Sequence, residues 1–273
     1  MNPSCWINGE PGTRIETSDR GLQYGDGVFE TLAVKDGRIT LLDFHLQRLM
    51  EGCRRLLIPP PSPDLIRDEL NSAARDQQRA VLKLIVTRGS GGRGYRPPLN
   101  VSPNRILTVH DWPAYRETWW EQGINARICT TVLGNNPRLA GIKHLNRLEQ
   151  ILARAEWPDT DDVQEGLMTD AGGSLIEGTM TNVFARLADG RLVTPDLQTC
   201  GVAGVMRRHL LEQAERTGTA VHVGGLKPAG LRTATEVFIC NSVIGVWPVR
   251  QLDNRSYGVG EMTRKFQQWA GET

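Results

Sequence analysis

The run from Val28 to Val34 reads as an alternating stretch rich in strand formers, and the almost wholly apolar run from Ala80 to Thr87 reads as a second strand. In the second stretch Leu82, Leu84 and Val86 share one face, and Val81 and Ile85 share the other. Between the two, Lys35-Asp36-Gly37-Arg38 has the Asp-Gly turn chemistry of a hairpin leading into 39–41. The period then changes. Leu42, Leu46, Leu49, Met50, Cys53 and Leu56 recur at helical spacing, with Asp43 as the expected N-cap. The opening CWINGEPG reads as a strand running into a turn, a second helix is expected over 63–77 after the Pro59-Pro60-Pro61 break, and another strand over 105–109.

The run from His110 to Tyr115 breaks both periods and marks a domain boundary. A smaller N-terminal α/β domain is expected over 1–112, a linker over 113–118 and a larger C-terminal domain over 119–273. The larger half opens on an apolar strand over 124–133. A loop with Asn135, Asn136 and Pro137 leads to Lys143, followed by a helix with Leu145, Leu148, Ile151, Leu152 and Ala155 on one face. Strands follow over 165–170, 174–177 and 181–186, then a helix over 204–216, strands over 236–240 and 243–249, and a terminal helix over 262–269. Mixed strands and helices in two unequal halves predict an α+β fold of two domains.

Composition narrows the function. The 273-residue chain has a formal net charge of +1, so it lacks the electrostatic footprint of a protein that binds nucleic acid or an anionic membrane. It has no apolar run of the about 18 residues that suggest a membrane span and no basic-then-apolar start, which makes the cytoplasm the expected location. Cys5, Cys53, Cys129, Cys200 and Cys240 are scattered without a C-x-x-C pair. That argues against a disulfide framework or a zinc site, and no metal is expected. Lysines are few: Lys35, Lys83, Lys143, Lys227 and Lys265.

Four features carry candidate chemistry. The run Gly89-Ser90-Gly91-Gly92-Arg93-Gly94 contains G-x-G-x-x-G after a strand, but Pro97 and Pro98 stand where a dinucleotide site needs a helix. It is either a flexible surface loop or an anion-binding loop, with charge from Arg88 and Arg93 and donors from glycine amides. Lys143 lies between an apolar run and an amphipathic helix, where partial burial would depress the pKa of an amine and make it nucleophilic. An ordinary surface lysine is the alternative, and Lys83, in mid-strand, is the only rival. Glu177 ends an apolar strand and needs a partner, either a structural cation or a cofactor nitrogen. Arg48 shares a helix face with His45, which suits a solvated face or a phosphate clamp; a lone histidine such as His45 is more often structural.

Six segments then combine in one order: QYGDGVFET (23–31), HLQRL (45–49), GIKHLNRLEQ (141–150), IEGTMTNVF (176–184), GVAGVMR (201–207) and CNSV (240–243). Together they resemble the fold type IV pyridoxal-phosphate (PLP) enzymes, which include D-amino-acid and branched-chain aminotransferases and aminodeoxychorismate lyases. The resemblance implies that Lys143 carries PLP, Glu177 pairs with its ring nitrogen and Arg48 meets its phosphate. It also implies that the amides of Val205 and Met206 hold the phosphate at a helix start, with Asn241 and Ser242 in a further phosphate-side segment. TRGSGGRGY (87–95), GIKHLNRLEQ and Thr31 resemble the lyase branch, whereas Glu30 agrees with the aminotransferases.

The activity so implied is elimination of pyruvate from 4-amino-4-deoxychorismate, giving p-aminobenzoate for folate synthesis. Lys143 would act as base, Thr31 would assist proton delivery, and Arg88, Arg93, Tyr95 and Tyr24 would receive the substrate. The alternative is a class IV aminotransferase acting on D- or branched-chain amino acids. Members of the family are usually homodimers, so a dimer is expected.

Overall fold

The stretches over 28–34 and 80–87 become central strands of a six-stranded antiparallel sheet. The computed structural model describes residues 4–159 and 162–273. The chain divides into two units, Met1–Pro113 with Ile142–Asn146, and Ala114–Gly141 with Arg147–Thr273. The first contains β1 (Cys5–Ile7), β2 (Glu10–Pro11), α1 (Arg20–Tyr24), β3 (Gly27–Lys35), β4 (Arg38–Ile39), α2 (Leu42–Arg55), α3 (Pro63–Ala74), β5 (Arg79–Thr87) and β6 (Asn104–Asp111). Its strand order is β2-β1-β6-β5-β3-β4. Val28, Leu32 and Val34 of β3 and Leu82, Leu84 and Val86 of β5 pack on Leu46, Leu49 and Cys53 of α2 and Ile66 and Leu70 of α3. Each such aliphatic side chain contributes about 1.5–3 kcal/mol by leaving water. Asp43 does not cap α2. The N-cap is Leu41, two residues earlier and in the left-handed region, and Asp43 sits in the first turn, paired with Arg67.

The sequence places Lys143 in the larger domain, but the structure gives residues 142–146 to the smaller unit. The reason lies at an edge of the sheet. β4 pairs only with Val34 and Lys35 of β3, which leaves the first half of β3 open on that side. The lysine segment fills it: His144 bridges Val28, Phe29 N–H donates to Lys143 C=O (2.9 Å), and Leu145 N–H donates to Gly27 C=O (3.0 Å). Ile142 is buried in the same core.

The second unit contains α4 (Thr118–Glu121), β7 (Ile124–Ile128), α5 (Leu148–Arg154), β8 (Glu165–Thr169), β9 (Leu175–Gly178), β10 (Asn182–Arg186), β11 (Leu192–Pro195), α6 (Val205–Arg216), β12 (Val221–Gly224), α7 (Pro228–Leu231), β13 (Glu236–Asn241), β14 (Gly245–Leu252), β15 (Arg255–Ser256) and α8 (Glu261–Gly271). Its nine-stranded sheet runs β12-β11-β10-β13-β14-β7-β8-β9, with β15 on β14. Trp247 is the aromatic hub of the core, with Tyr115, Trp119 and Trp120 edge-on or tilted around it. The N-terminus of α8 is capped from outside the helix: the buried Glu236 accepts from Thr263 N–H (2.8 Å) and Oγ1 (2.7 Å). The apolar run expected as one strand over 124–133 stops at Ile128. The helix after Lys143 begins only at Leu148, and its apolar side chains Leu148, Ile151 and Leu152 are exposed rather than in the core. No described helix is long and apolar enough to cross a membrane.

Candidate active site

In the smaller unit, strand alternation turns Glu30 toward α2 with Val28 and Leu32. A carboxylate at 2% exposure needs counter-charge, and α2 supplies two groups one helical turn apart. Arg48 donates from Nε to Oε1 (2.8 Å) and from Nη2 to Oε2 (2.5 Å), and His45 Nδ1 lies 2.6 Å from Oε2. Burial alone would push the Glu30 carboxyl up, but Arg48 and His45 outweigh it and hold it at about 2. Burial keeps the His45 imidazole below its ordinary range despite the pull of Glu30; Arg48 and Lys143 add to the lowering. A neutral His45 therefore donates Nδ1–H to Glu30.

The opposite face of β3 carries Phe29 and Thr31. The Lys143 ammonium lies 4.3 Å from the centroid of the Phe29 ring, within cation–π range. Lys83 stands opposite Thr31 in the strand register, with its Nζ 5.6 Å from the same ring. The two lysines that the sequence leaves in competition thus meet at one aromatic ring, on a sheet face that also bears a hydroxyl. No carboxylate is paired with Lys83 among the described residues.

Arg88, expected at the substrate, is turned into the protein in this fold. Only 4% exposed, it donates from Nε and Nη2 to Asp26 (2.7 and 3.0 Å), and from Nη1 and Nη2 to the carbonyls of Leu57 and Leu56 (2.6 and 2.7 Å). Its donors tie the turn before β3 to the end of α2. Asp26 also accepts from Arg20 Nε (2.9 Å). Burial raises the Asp26 carboxyl, but the two arginines more than offset this and lower it overall.

Arg20, which sequence reasoning misses, anchors the glycine-rich loop through the carbonyls of Gly94 (2.9 Å) and Tyr95 (3.3 Å). Tyr24 accepts from Gly94 N–H (3.3 Å), and its ring meets that of Tyr95 at 5.6 Å. The loop is therefore laced to α1, and no helix follows it. Arg93 is exposed, and Tyr95 is 86% exposed.

In the larger unit, Glu177 is buried on β9 and its Oε2 accepts from Val202 N–H at 2.8 Å. Asn182 donates to the carbonyl of the same residue at 3.0 Å. Gly141 pairs with Val202 from the other side, through bonds to Gly201 and Ala203. The segment so gripped runs into α6, a helix of 12 residues with Gly204 as N-cap, no capping side chain and no acid in its first turn. A Cβ on Gly204 would come within 2.0 Å of Asn182 Oδ1, so only glycine fits there. Uncapped amides and the helix dipole give this N-terminus, at Val205 and Met206, a positive potential of the kind that favours anions. Burial lowers the pKa of Arg147, while the charge of Glu177 pulls it back up.

Asn241, in the segment that the resemblance assigns to the phosphate side, commits its side chain to bonds within the protein. Its amide donates to Met180 C=O (3.2 Å), and its oxygen accepts from Val243 and Ile244 N–H (both 2.9 Å), so the side chain closes a turn. Ser242 sits half-buried in that turn. Sequence reasoning also passes over Glu165, a charged residue opening an apolar strand. That is the same signal that draws attention to Glu177.

Residues 27–252 match the family model for amino-transferase class IV. The chain is 38% identical over 267 residues to the aminodeoxychorismate lyase of Vibrio harveyi, an alignment covering 96% of this chain and 97% of that protein. It resembles the crystal structure of 4-amino-4-deoxychorismate lyase from Pseudomonas aeruginosa with a TM-score of 0.93 and 51% identity, over 98% of each chain. The branched-chain amino acid aminotransferase of Escherichia coli is more distant, with a TM-score of 0.85 and 27% identity over 97% of this chain and 92% of that one.

Proposed function

The chain belongs to the class IV aminotransferase family, and from that premise we propose that it is a PLP-dependent 4-amino-4-deoxychorismate lyase, forming p-aminobenzoate and pyruvate. The observation that carries this reading is the gathering of an amine, Lys143, and a hydroxyl, Thr31, on one sheet face around Phe29. The chemistry of the donor set fits PLP. Glu177 offers a buried carboxylate suited to a protonated ring nitrogen, and the uncapped start of α6 suits a phosphate dianion.

PLP supplies a conjugated ring that accepts the electron pair released when a bond beside the substrate nitrogen breaks. Glu177 would keep a proton on the ring nitrogen of the bound coenzyme. Val205 and Met206 would hold the phosphate through their amides, and Arg48, oriented by Glu30, would add positive charge. With PLP bound, the Lys143 amine would hold the coenzyme and would serve as the base toward the proton on C4 of the substrate ring. As the C3–O bond breaks, the Thr31 hydroxyl delivers a proton to the departing enolpyruvyl group, which leaves as pyruvate. Lys83, beside Phe29, and Arg93, on the loop that Tyr24 and Tyr95 brace, would receive the two substrate carboxylates. The ring left behind is aromatic, so no amino-group acceptor is needed.

The same proposal includes a homodimer working in the cytoplasm. Leu148, Ile151 and Leu152 form an exposed apolar stripe on α5 that a second copy would cover. All five cysteines are free thiols, in keeping with a reducing compartment. The test is pyruvate release from 4-amino-4-deoxychorismate with no keto acid present. Faster transfer of an amino group from a branched-chain or D-amino acid to a keto acid would replace the lyase reading with an aminotransferase one.

A further inference from the structure

A second buried carboxylate lies beside the residues assigned to the coenzyme. Glu165 opens β8 at 0% exposure, and no cation pairs with it among the described residues. Burial raises the pKa of its carboxyl, and the dipoles around it work against that rise. Oε1 accepts from Gly166 N–H (2.9 Å), Thr179 N–H (3.0 Å) and Thr179 Oγ1 (2.5 Å); Oε2 accepts from Thr181 Oγ1 (2.8 Å) and Met180 N–H (3.4 Å). All but one of these donors belong to the turn 178–181. That turn is closed tightly around the carboxylate: a Cβ on Gly178 would sit 2.2 Å from Thr181 Oγ1 and 2.9 Å from Glu165 Cδ. Burying a lone carboxylate in a sheet is costly unless its oxygens are satisfied. Here five donors satisfy them, and four of the five are fixed in position by doing so.

The flanks of this turn are Glu177 and Asn182, and both grip Val202, one at its N–H and the other at its carbonyl. Val202 lies two residues before Gly204, the N-cap of α6. Asn241 reaches the turn from β13 through Met180 C=O. The turn is therefore a junction between the carboxylate assigned to the ring nitrogen and the helix start assigned to the phosphate.

We propose that Glu165 is a positioning residue: its carboxylate templates the 178–181 turn and thereby sets the placement of Glu177 relative to the N-terminus of α6. The inference rests on the PLP reading. Glu236 provides a matched control. It is another buried glutamate that accepts from a threonine N–H and hydroxyl, but it also pairs with Arg186 (3.2 Å) and caps α8, which carries none of the assigned residues.

The experiment compares wild type, Glu165→Gln, Thr181→Val and Glu236→Gln. PLP affinity is measured by titrating apoprotein, the pH profile of bound-coenzyme absorbance is recorded, and the apoprotein Tm is taken. Glutamine keeps the size of Glu165 but presents an amide donor to a ring of donors. Loss of charge-assisted hydrogen bonds of this kind raises the Kd of Glu165→Gln by about tenfold or more. Its absorbance profile shifts along the pH axis, because the proton on the ring nitrogen depends on where Glu177 stands. Thr181→Val moves both readouts less, in the same direction. Glu236→Gln lowers Tm and leaves affinity and profile unchanged.

A folded Glu165→Gln with wild-type Kd and profile overturns the proposal, as does a Glu236→Gln that shifts both equally. Should Glu165→Gln fail to fold, an unchanged Thr181→Val overturns it instead. Wild-type protein that takes up no PLP sinks the coenzyme reading itself, before any variant is compared.

Discussion

Glu30→Gln tests the electrostatics of the smaller unit directly. The native carboxylate takes Arg48 Nε at 2.8 Å, Arg48 Nη2 at 2.5 Å and His45 Nδ1 at 2.6 Å. Glutamine has one acceptor oxygen, and its NH2 group faces donors. At least one partner therefore loses its acceptor, and the Arg48 guanidinium, 13% exposed, loses its counter-charge. Removing one member of a buried pair costs about 3–5 kcal/mol, and the residual solvent access of Arg48 puts this case near the lower end.

The pKa gives an independent figure. Glu30 is held at about 2 in the folded protein against an ordinary 4.5, a gap worth about 3 kcal/mol. A carboxyl whose folded pKa is depressed adds stability that is fully present above its unfolded value and is lost as pH falls through the folded one. The advantage of wild type over Glu30→Gln is thus complete at neutral pH, and roughly 2 kcal/mol of it is gone by about pH 3. Urea unfolding of the apoproteins at both pH values, followed by circular dichroism, measures the difference without a contribution from bound coenzyme. A loss below about 1 kcal/mol at neutral pH, or a loss just as large in acid, would refute the reasoning.

Other variants separate the remaining roles. Lys143→Ala should abolish pyruvate release and the borohydride-fixed pyridoxyl adduct; turnover at more than a trace would remove it as the base. Lys83→Met should raise KM by about tenfold or more with a smaller change in kcat, as loss of one carboxylate contact demands, and a fall confined to kcat would contradict that role. Leu148→Asp with Ile151→Asp should shift light-scattering mass from two chains to one, whereas a monomeric wild type would remove the dimer.

Periodicity along the chain is a local property, set by which side of one element meets the core. That is why β3, β5, α2 and α6 can be read directly from their apolar spacing. The signature lysine, the glutamate before Gly-Thr-Met-Thr-Asn and the glycine before α6 are likewise local, because each depends on its immediate neighbours in the chain. What partner a charge finds is not local. Arg88 looks available in sequence, yet Asp26, 62 positions away, takes its Nε and shares Nη2.

Glu30 reads as a mismatch with the lyases until α2 brings Arg48 and His45 over it. The unit to which Lys143 belongs is decided by an open edge of β3 more than a hundred residues earlier. Glu165 becomes visible as an anchor only once the turn 178–181 has closed on it. The sequence by itself determined which elements form and which residue types carry the chemistry. The tertiary structure alone decided which of those charges are already occupied by one another, because Coulomb attraction and desolvation depend on distance and burial after folding, not on position along the chain.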